Sequence, residues 1–301
     1  MDAHDQTITL MDGRKLGFAL YGPVSGQPVL YFHGTPSSRL EPQLLNVYGV
    51  DLEAILFTAN IQLIAIDRPG IGLSSFNSGG NFLSFAEDVK QLIDQLSVRA
   101  CSILCWSGGG PYALAMAHQF PGTINIVFIL CGFSRHFDEE VFRQMGFNKW
   151  YFRLAKYTPW LLGALMNILK NKEIAGFVPQ KFTGLAYVDY ALLKDIPRLR
   201  VVAKTTVKEA CRNGSKGPVY EAQSYYNDFG FSLSAIRQPV HYWWGTLDMS
   251  VDRVHAEAVE REVPNAIMHF RQNEGHLSMY IKGFEEAMKI IKTNDATQSF
   301  N

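Results

Sequence analysis

The sequence predicts an α/β fold: a mostly parallel sheet, an antiparallel hairpin at its N-terminal edge, and a helical segment inserted after the sixth strand. Three observations carry this expectation. Between Val29 and Cys131, short apolar runs of strand type alternate with stretches of helical periodicity, which implies right-handed crossovers and parallel strands. That rhythm stops at Phe133, and no convincing strand pattern returns until Pro239. Ahead of it, two alternating segments flank a tight turn and add an antiparallel edge.

The elements follow in order. Thr7–Leu10 and Lys15–Tyr21 lie on either side of Asp12-Gly13, a hairpin signal. Gln27–Phe32 is a strand of buried type that runs into His33-Gly34-Thr35-Pro36, and Leu44–Thr58 has helical periodicity. Gln62–Ile66 is the next strand and ends in Asp67-Arg68-Pro69-Gly70-Ile71-Gly72-Leu73-Ser74. In Phe82–Leu96 the residues Phe85, Val89, Leu92, Ile93 and Leu96 share one helical face. Cys101–Trp106 is a strand that stops at Ser107, followed by three glycines and a helical pattern with Tyr112, Leu114, Ala115 and Met116. Ile124–Cys131 is the sixth strand. Past the insert come a strand at Val240–Trp244, a helix at Val251–Val263, a strand at Ile267–Arg271 and a closing helix at His276–Lys292. The chain thus divides into residues 1–132 and 239–301, two parts of one core, and residues 133–238, a helical insert long enough to form a subdomain.

Composition narrows the function classes. Lysine plus arginine balance aspartate plus glutamate at 28 each, so no global basic field recruits nucleic acid. Cys101, Cys105, Cys131 and Cys211 show neither metal-ligand spacing nor the density of a disulfide scaffold, and the first three fall in strands, where cysteine acts as a small hydrophobe. Met1–Leu10 is polar and lacks the apolar centre of a signal peptide. The longest apolar run, Pro159–Leu169, is shorter than the ~20 residues a bilayer-spanning helix needs. The expectation is a cytoplasmic protein with reduced thiols and no transmembrane segment, for which a homodimer is compatible.

Ser107 is the residue around which chemistry can be built. A strand, a one-residue turn and a helix hold a serine hydroxyl above the edge of a parallel sheet, provided the neighbours are small. The G-x-S-x-G nucleophile elbow has this form; here Gly109 supplies the second glycine and Cys105 stands in place of the first. A serine nucleophile needs a base, and the base needs an orienting acid. Of the eight histidines, His276 stands after the last strand and at the mouth of the last helix, where it also suits a helix cap. Asp248, after Trp243-Trp244-Gly245-Thr246-Leu247, leaves the sheet at the same edge and also suits a helix cap; Asp138, just beyond the sixth strand, is the competing acid. The order Ser107, Asp248, His276 is the chain order expected of a triad in this kind of sheet.

With the triad, His33-Gly34-Thr35-Pro36 and an Asp67–Ser74 loop similar to D-x-x-G-x-G-x-S, the chain resembles the α/β-hydrolase superfamily, in its capped, esterase- or epoxide-hydrolase-like form. The resemblance covers nearly everything outside the insert. It implies that Thr35, the residue after His-Gly, donates its backbone N–H to an oxyanion; Pro36 has no N–H to offer. The second donor is the N–H of Gly108, at the positive end of the helix after Ser107. The resemblance also makes residues 133–238 a cap over the nucleophile.

The insert is rich in aromatics, among them Phe147, Trp150, Tyr151, Phe152, Tyr157, Trp160, Tyr187, Tyr190, Tyr225 and Tyr226. Most serve the cap's own packing, while Trp106, Trp150 and Trp160 are the candidate substrate contacts. Basic residues also cluster there, including Arg135, Arg143, Lys149, Arg153, Lys156, Lys170 and Lys172; an acidic substrate or an anionic membrane would be drawn to them, but a solvated helix face accounts for them as well. Nucleotide binding is rejected: twenty residues beyond Gly108-Gly109-Gly110 the chain is apolar at Val127–Gly132, and Gly70-Ile71-Gly72 has Ser75 where a third glycine belongs. No metal and no cofactor are expected. The expected activity is hydrolysis of a small, largely apolar or aromatic ester or lactone through an acyl-enzyme. Carbon–carbon hydrolysis, amide hydrolysis and lyase chemistry are open to the same triad, and a receptor-like protein with weak hydrolysis is the alternative of another class. Dehalogenation and epoxide opening would call for a carboxylate at Ser107.

Overall fold

The computed structural model describes residues 5–146, 148–170, 180 and 183–298; Phe147 and Lys172 lie outside them. Eight strands form one sheet: β1 (Gln6–Thr9), β2 (Lys15–Tyr21), β3 (Gln27–Phe32), β4 (Ile61–Ile66), β5 (Cys101–Trp106), β6 (Ile124–Leu130), β7 (Val240–Gly245) and β8 (Ala266–Arg271). Their spatial order is β1-β2-β4-β3-β5-β6-β7-β8. The β1–β2 hairpin is antiparallel and β2 joins β4 antiparallel, while every pair from β4 to β8 is parallel. The expected mostly parallel sheet with an antiparallel edge is therefore observed. Strands β3 to β7 are buried on both faces at their C-terminal halves, which explains why they read as unbroken apolar runs.

Helices cover both faces. On one, α3 (Phe82–Gln95), α4 (Gly110–Gln119) and α11 (Arg253–Glu262) bury Phe85, Val89, Leu92, Met116 and Val259 with sheet residues such as Phe32 and Ile103. On the other, α2 (Leu52–Ala59) and α12 (His276–Gln298) bury Leu56, Tyr280 and Phe284 with Leu63, Leu104 and Trp243. Where one helix was expected over Leu44–Thr58, the chain makes two: α1 (Leu44–Val47) and α2. Gly49 at φ 78° breaks the run, and the Asp51 carboxylate restarts it by accepting the Ala54 N–H at 3.0 Å.

Between β6 and β7 the described residues contain no strand and carry α5 (Glu139–Gln144), α6 (Asn148–Tyr157), α7 (Pro159–Leu169), α8 (Tyr187–Asp195), α9 (Pro197–Ala210) and α10 (Lys216–Ser224). These helices do not keep their aromatics in a separate small core. Phe137, Phe152 and Tyr225 belong to the same buried cluster as Phe32 of β3 and Phe85 of α3, with Phe133 touching all three by edge-on ring contacts. Trp150, Tyr157, Trp160 and Tyr187 go the other way and are exposed. No described helix is long and apolar enough to cross a membrane.

Candidate active site

The parallel strands end in register, so the residues that follow β3, β5, β6, β7 and β8 share one edge of the sheet. Ser107 follows β5 and adopts φ 51°, a left-handed conformation that an L-residue holds only when its surroundings force it. The force comes from close packing of strand on helix. A Cβ on Gly109 would meet the Phe32 carbonyl oxygen at 2.3 Å, so nothing larger than glycine fits there, and Cys105 is tolerated beside it. Ser107 is buried, and its hydroxyl makes no hydrogen bond to another described residue. Such contacts are often long in a free site and tighten only with substrate.

His276 opens α12 at the same edge of the sheet. Its Nδ1 lies 2.7 Å from Asp248 Oδ2, and its ring stacks on Trp106, the residue before Ser107, with centroids 5.0 Å apart. Burial alone would depress the imidazole pKa, but the charge and hydrogen bond of Asp248 outweigh it, helped by Asp189 and Glu41, and His276 sits above its ordinary value. Asp248 spends its other oxygen on the backbone N–H groups of Ser250 and Val251, at 2.7 and 2.9 Å. It therefore orders the turn after β7 and holds the imidazole at once. The cap of α11 falls to Asp252, whose Oδ1 accepts the Val254 N–H. Asp138 caps α5 through the Val141 N–H and pairs with Arg135, away from the histidine.

Cys131 also reaches this acid. It follows β6 at φ 46°, and burial, then the Asp248 charge, push its thiol well above its ordinary pKa, so it stays protonated. Cys131, Asp248 and His276 are the described residues whose donor atoms come within 4.8 Å of one another in the manner of a metal site. Here Asp248 Oδ2 and His276 Nδ1 are already engaged with each other.

Thr35 and Gly108 meet through a cap residue. Tyr225, just past α10, donates its hydroxyl to the Gly108 carbonyl at 2.9 Å and lies 2.7 Å from Thr35 Oγ1. Arg68 donates to Thr35 Oγ1 at 3.0 Å, to the Gly34 carbonyl at 2.7 Å and to the His33 carbonyl, and pairs with the buried Glu221 of α10. Below the loop, the Glu41 carboxylate accepts the Gly34 N–H at 2.8 Å and the Tyr31 hydroxyl at 2.6 Å. Burial raises Glu41 to about 7 against the opposing effect of those hydrogen bonds and of Arg68. A Cβ on Gly108 would meet Thr35 Oγ1 at 2.1 Å, so the approach of the two loops depends on a glycine at that position.

Three supports escaped sequence reasoning. Asp189 of α8 accepts the backbone N–H of His276, Leu277 and Ser278. Glu221 neutralises Arg68, and Tyr225 bridges the two loops. None stands in a motif; only Arg68 lay in a recognisable one, the Asp67–Ser74 loop. The tryptophans part company. Trp106 packs between His276 and Tyr280. Trp150 lines an apolar groove of about 620 Å³ between α6, α7 and α9 that reaches Pro36, beside Thr35. Trp160 is 74 % exposed and lines a different depression with Phe76 and Ser215.

Comparison with known proteins agrees with this geometry. A family model described as alpha/beta hydrolase fold matches residues 27–282. An uncharacterized hydrolase of Bacillus subtilis (strain 168), YcgS, is 23 % identical over 288 residues, covering 95 % of this chain and 96 % of its own. Among solved structures, the esterase RhEst1 from Rhodococcus sp. ECU1013 superposes with a TM-score of 0.67 at 18 % identity, covering 97 % of this chain and 99 % of its own. The enol-lactonase from Burkholderia xenovorans LB400 superposes with a TM-score of 0.68 at 16 % identity, covering 96 % and 100 %. The register of the strand ends, the strained serine and the match over residues 27–282 lead to one conclusion: the chain belongs to the α/β-hydrolase family.

Proposed function

We propose that the protein is a serine hydrolase that cleaves a carboxylic ester or lactone through an acyl-enzyme. The observation that carries this reading is the 2.7 Å hydrogen bond between His276 Nδ1 and Asp248 Oδ2. It fixes the tautomer that leaves Nε2 free to accept a proton. Ser107 Oγ attacks the substrate carbonyl carbon while its proton passes to His276 Nε2. The tetrahedral oxyanion is held by the N–H groups of Thr35 and Gly108; the latter lies in the first helical turn, where N–H groups lack intrahelical partners. The intermediate collapses as the carbon–oxygen bond to the leaving alkoxide breaks and His276 returns the proton to it. Water, deprotonated by the same imidazole, then releases the acid from Ser107. Asp248 stabilises the imidazolium formed in each half-reaction.

Substrate class follows from the groove that Trp150 shares with Pro36, Leu154, Leu165, Met166 and Val207. Its lining is almost wholly apolar, which suits an apolar or aromatic acyl or alkyl group. The test is a chromogenic ester panel of graded acyl length beside an aromatic lactone and an amide, with covalent labelling by a fluorophosphonate. The wild-type protein labels and turns over esters; Ser107→Ala folds, does not label and does not turn over. Labelling that persists on Ser107→Ala places the nucleophile elsewhere.

A further inference from the structure

Helix α7 (Pro159–Leu169, PWLLGALMNIL) contains no charged residue and yet lies on the surface. Trp160 is 74 % exposed, Ile168 53 %, Leu169 49 % and Leu165 37 %. At helical spacing Trp160, Ala164 and Ile168 form one outward row and Leu165 with Leu169 the row beside it. A soluble helix turns its apolar stripe inward and its polar face to water; one that presents an apolar face outward marks a surface that is covered in use.

Charge says what covers it. Residues 133–238 hold sixteen lysines and arginines against nine acids, and the rest of the chain holds twelve against nineteen, so a neutral protein is divided into a segment of +7 and a body of −7. The cap also turns acids inward: Asp189 is spent on α12, Glu221 on Arg68, and Glu209 on Arg39 at 2.6 Å. Lys216, exposed at the start of α10, lines the same depression as Trp160 and Ala164 and so sets a cation beside the outward row. A second copy of this chain would bring like charge against like charge across such a face.

We propose that this face of the cap docks on an anionic membrane surface, with α7 lying in the headgroup plane, Trp160 and Ile168 inserted, and the neighbouring basic residues on lipid phosphates. Tryptophan suits that boundary because its ring is apolar and its N–H polar. Interfacial helices combine apolar insertion with charge attraction in this way, and the charge part is screened by salt. Leu165 and Leu169 of the second row also line the groove at Pro36, whereas Trp160 and Ile168 lie outside it, so those two residues test docking separately from hydrolysis.

The experiment is cosedimentation of the full chain with phosphatidylcholine vesicles, with and without phosphatidylglycerol, at low and raised salt. Binding is expected to the anionic vesicles, weaker by at least about tenfold to phosphatidylcholine alone, and reduced by salt. Ile168→Asn, checked for fold by circular dichroism, loses about tenfold in vesicle affinity while hydrolysis of a short soluble ester is unchanged. Brominated lipid quenches tryptophan emission in the wild type and loses that effect in Trp160→Phe. Equal binding to both kinds of vesicle, no binding, or an Ile168→Asn variant that binds as well as wild type overturns the proposal. So does a concentration-dependent dimer in gel filtration that Ile168→Asn dissolves, which would assign the face to a second copy.

Discussion

The carboxylate of Asp189 accepts the backbone N–H of His276 at 2.7 Å, with the N–H groups of Leu277 and Ser278 on its other oxygen at 3.1 and 3.0 Å. Asp189 belongs to α8 of the helical insert, so the first turn of α12, and the imidazole it carries, is held by a residue 87 positions earlier in the chain. An acid at a helix N-terminus satisfies orphan donors and complements the dipole. The same negative charge helps to raise the His276 pKa.

Asp189→Asn removes the charge and keeps only one of the two accepting oxygens, so the charge effect is read from the pH profile and the capping effect from stability. A base works when neutral, and activity rises with pH through the His276 pKa, which the Asp248 carboxylate holds above its ordinary value against burial. Removing a nearby carboxylate lowers that pKa, so the acid limb of kcat/KM is expected to move to lower pH in Asp189→Asn. A pH–rate profile checks it; an unmoved limb would reduce Asp189 to a helix cap.

Asp248→Asn and Asp138→Asn should diverge sharply. Asparagine at Asp248 can donate to Nδ1 and so favours the wrong tautomer, a change that lowers turnover about 10⁴-fold in a serine protease. Losses of that order at pH 7 with the fold intact are expected for Asp248→Asn. Asp138→Asn, which touches only the start of α5 and Arg135, is expected to stay within a few-fold of wild type.

Tyr225→Phe tests the bridge between Thr35 and Gly108, the two proposed oxyanion donors. The phenol hydroxyl meets the Gly108 carbonyl at 2.9 Å and Thr35 Oγ1 at 2.7 Å; its loss takes that partner from the Gly108 carbonyl, while Thr35 Oγ1 keeps Arg68 at 3.0 Å. Such a loss costs about 1–3 kcal/mol, and removing an oxyanion donor outright costs about 3 kcal/mol. The expected outcome is a fall in kcat of about tenfold with little change in KM, because the oxyanion exists only in the transition state. Steady-state kinetics on a soluble ester decide it; a change confined to KM would make Tyr225 a substrate contact.

Much of this architecture is legible in local sequence, and the reason is local. Period-two and period-3.6 patterns reflect burial of one face at a time, so Phe82–Leu96 could be read as a helix because Phe85, Val89, Leu92 and Ile93 meet the same sheet face. The helix expected at Leu44–Thr58 broke because Gly49 and Asp51 act through backbone conformation and capping, which apolar periodicity does not register. Ser107, Asp248 and His276 stood out because each follows a strand within five residues, and in a parallel sheet the ends of the strands share one edge.

By itself, then, the sequence determined the strand order of chemistry along the chain, the elbow at Ser107 and the length of the helical insert. Only the tertiary structure decided what the insert does to the site. Asp189, Glu221 and Tyr225 lie 82 to 118 residues from Ser107 in a stretch with no motif, and no periodicity says that their polar ends turn inward onto His276, Arg68 and Gly108. Those contacts join elements that the chain brings together only on folding, where a buried polar group must find its partner wherever packing places one.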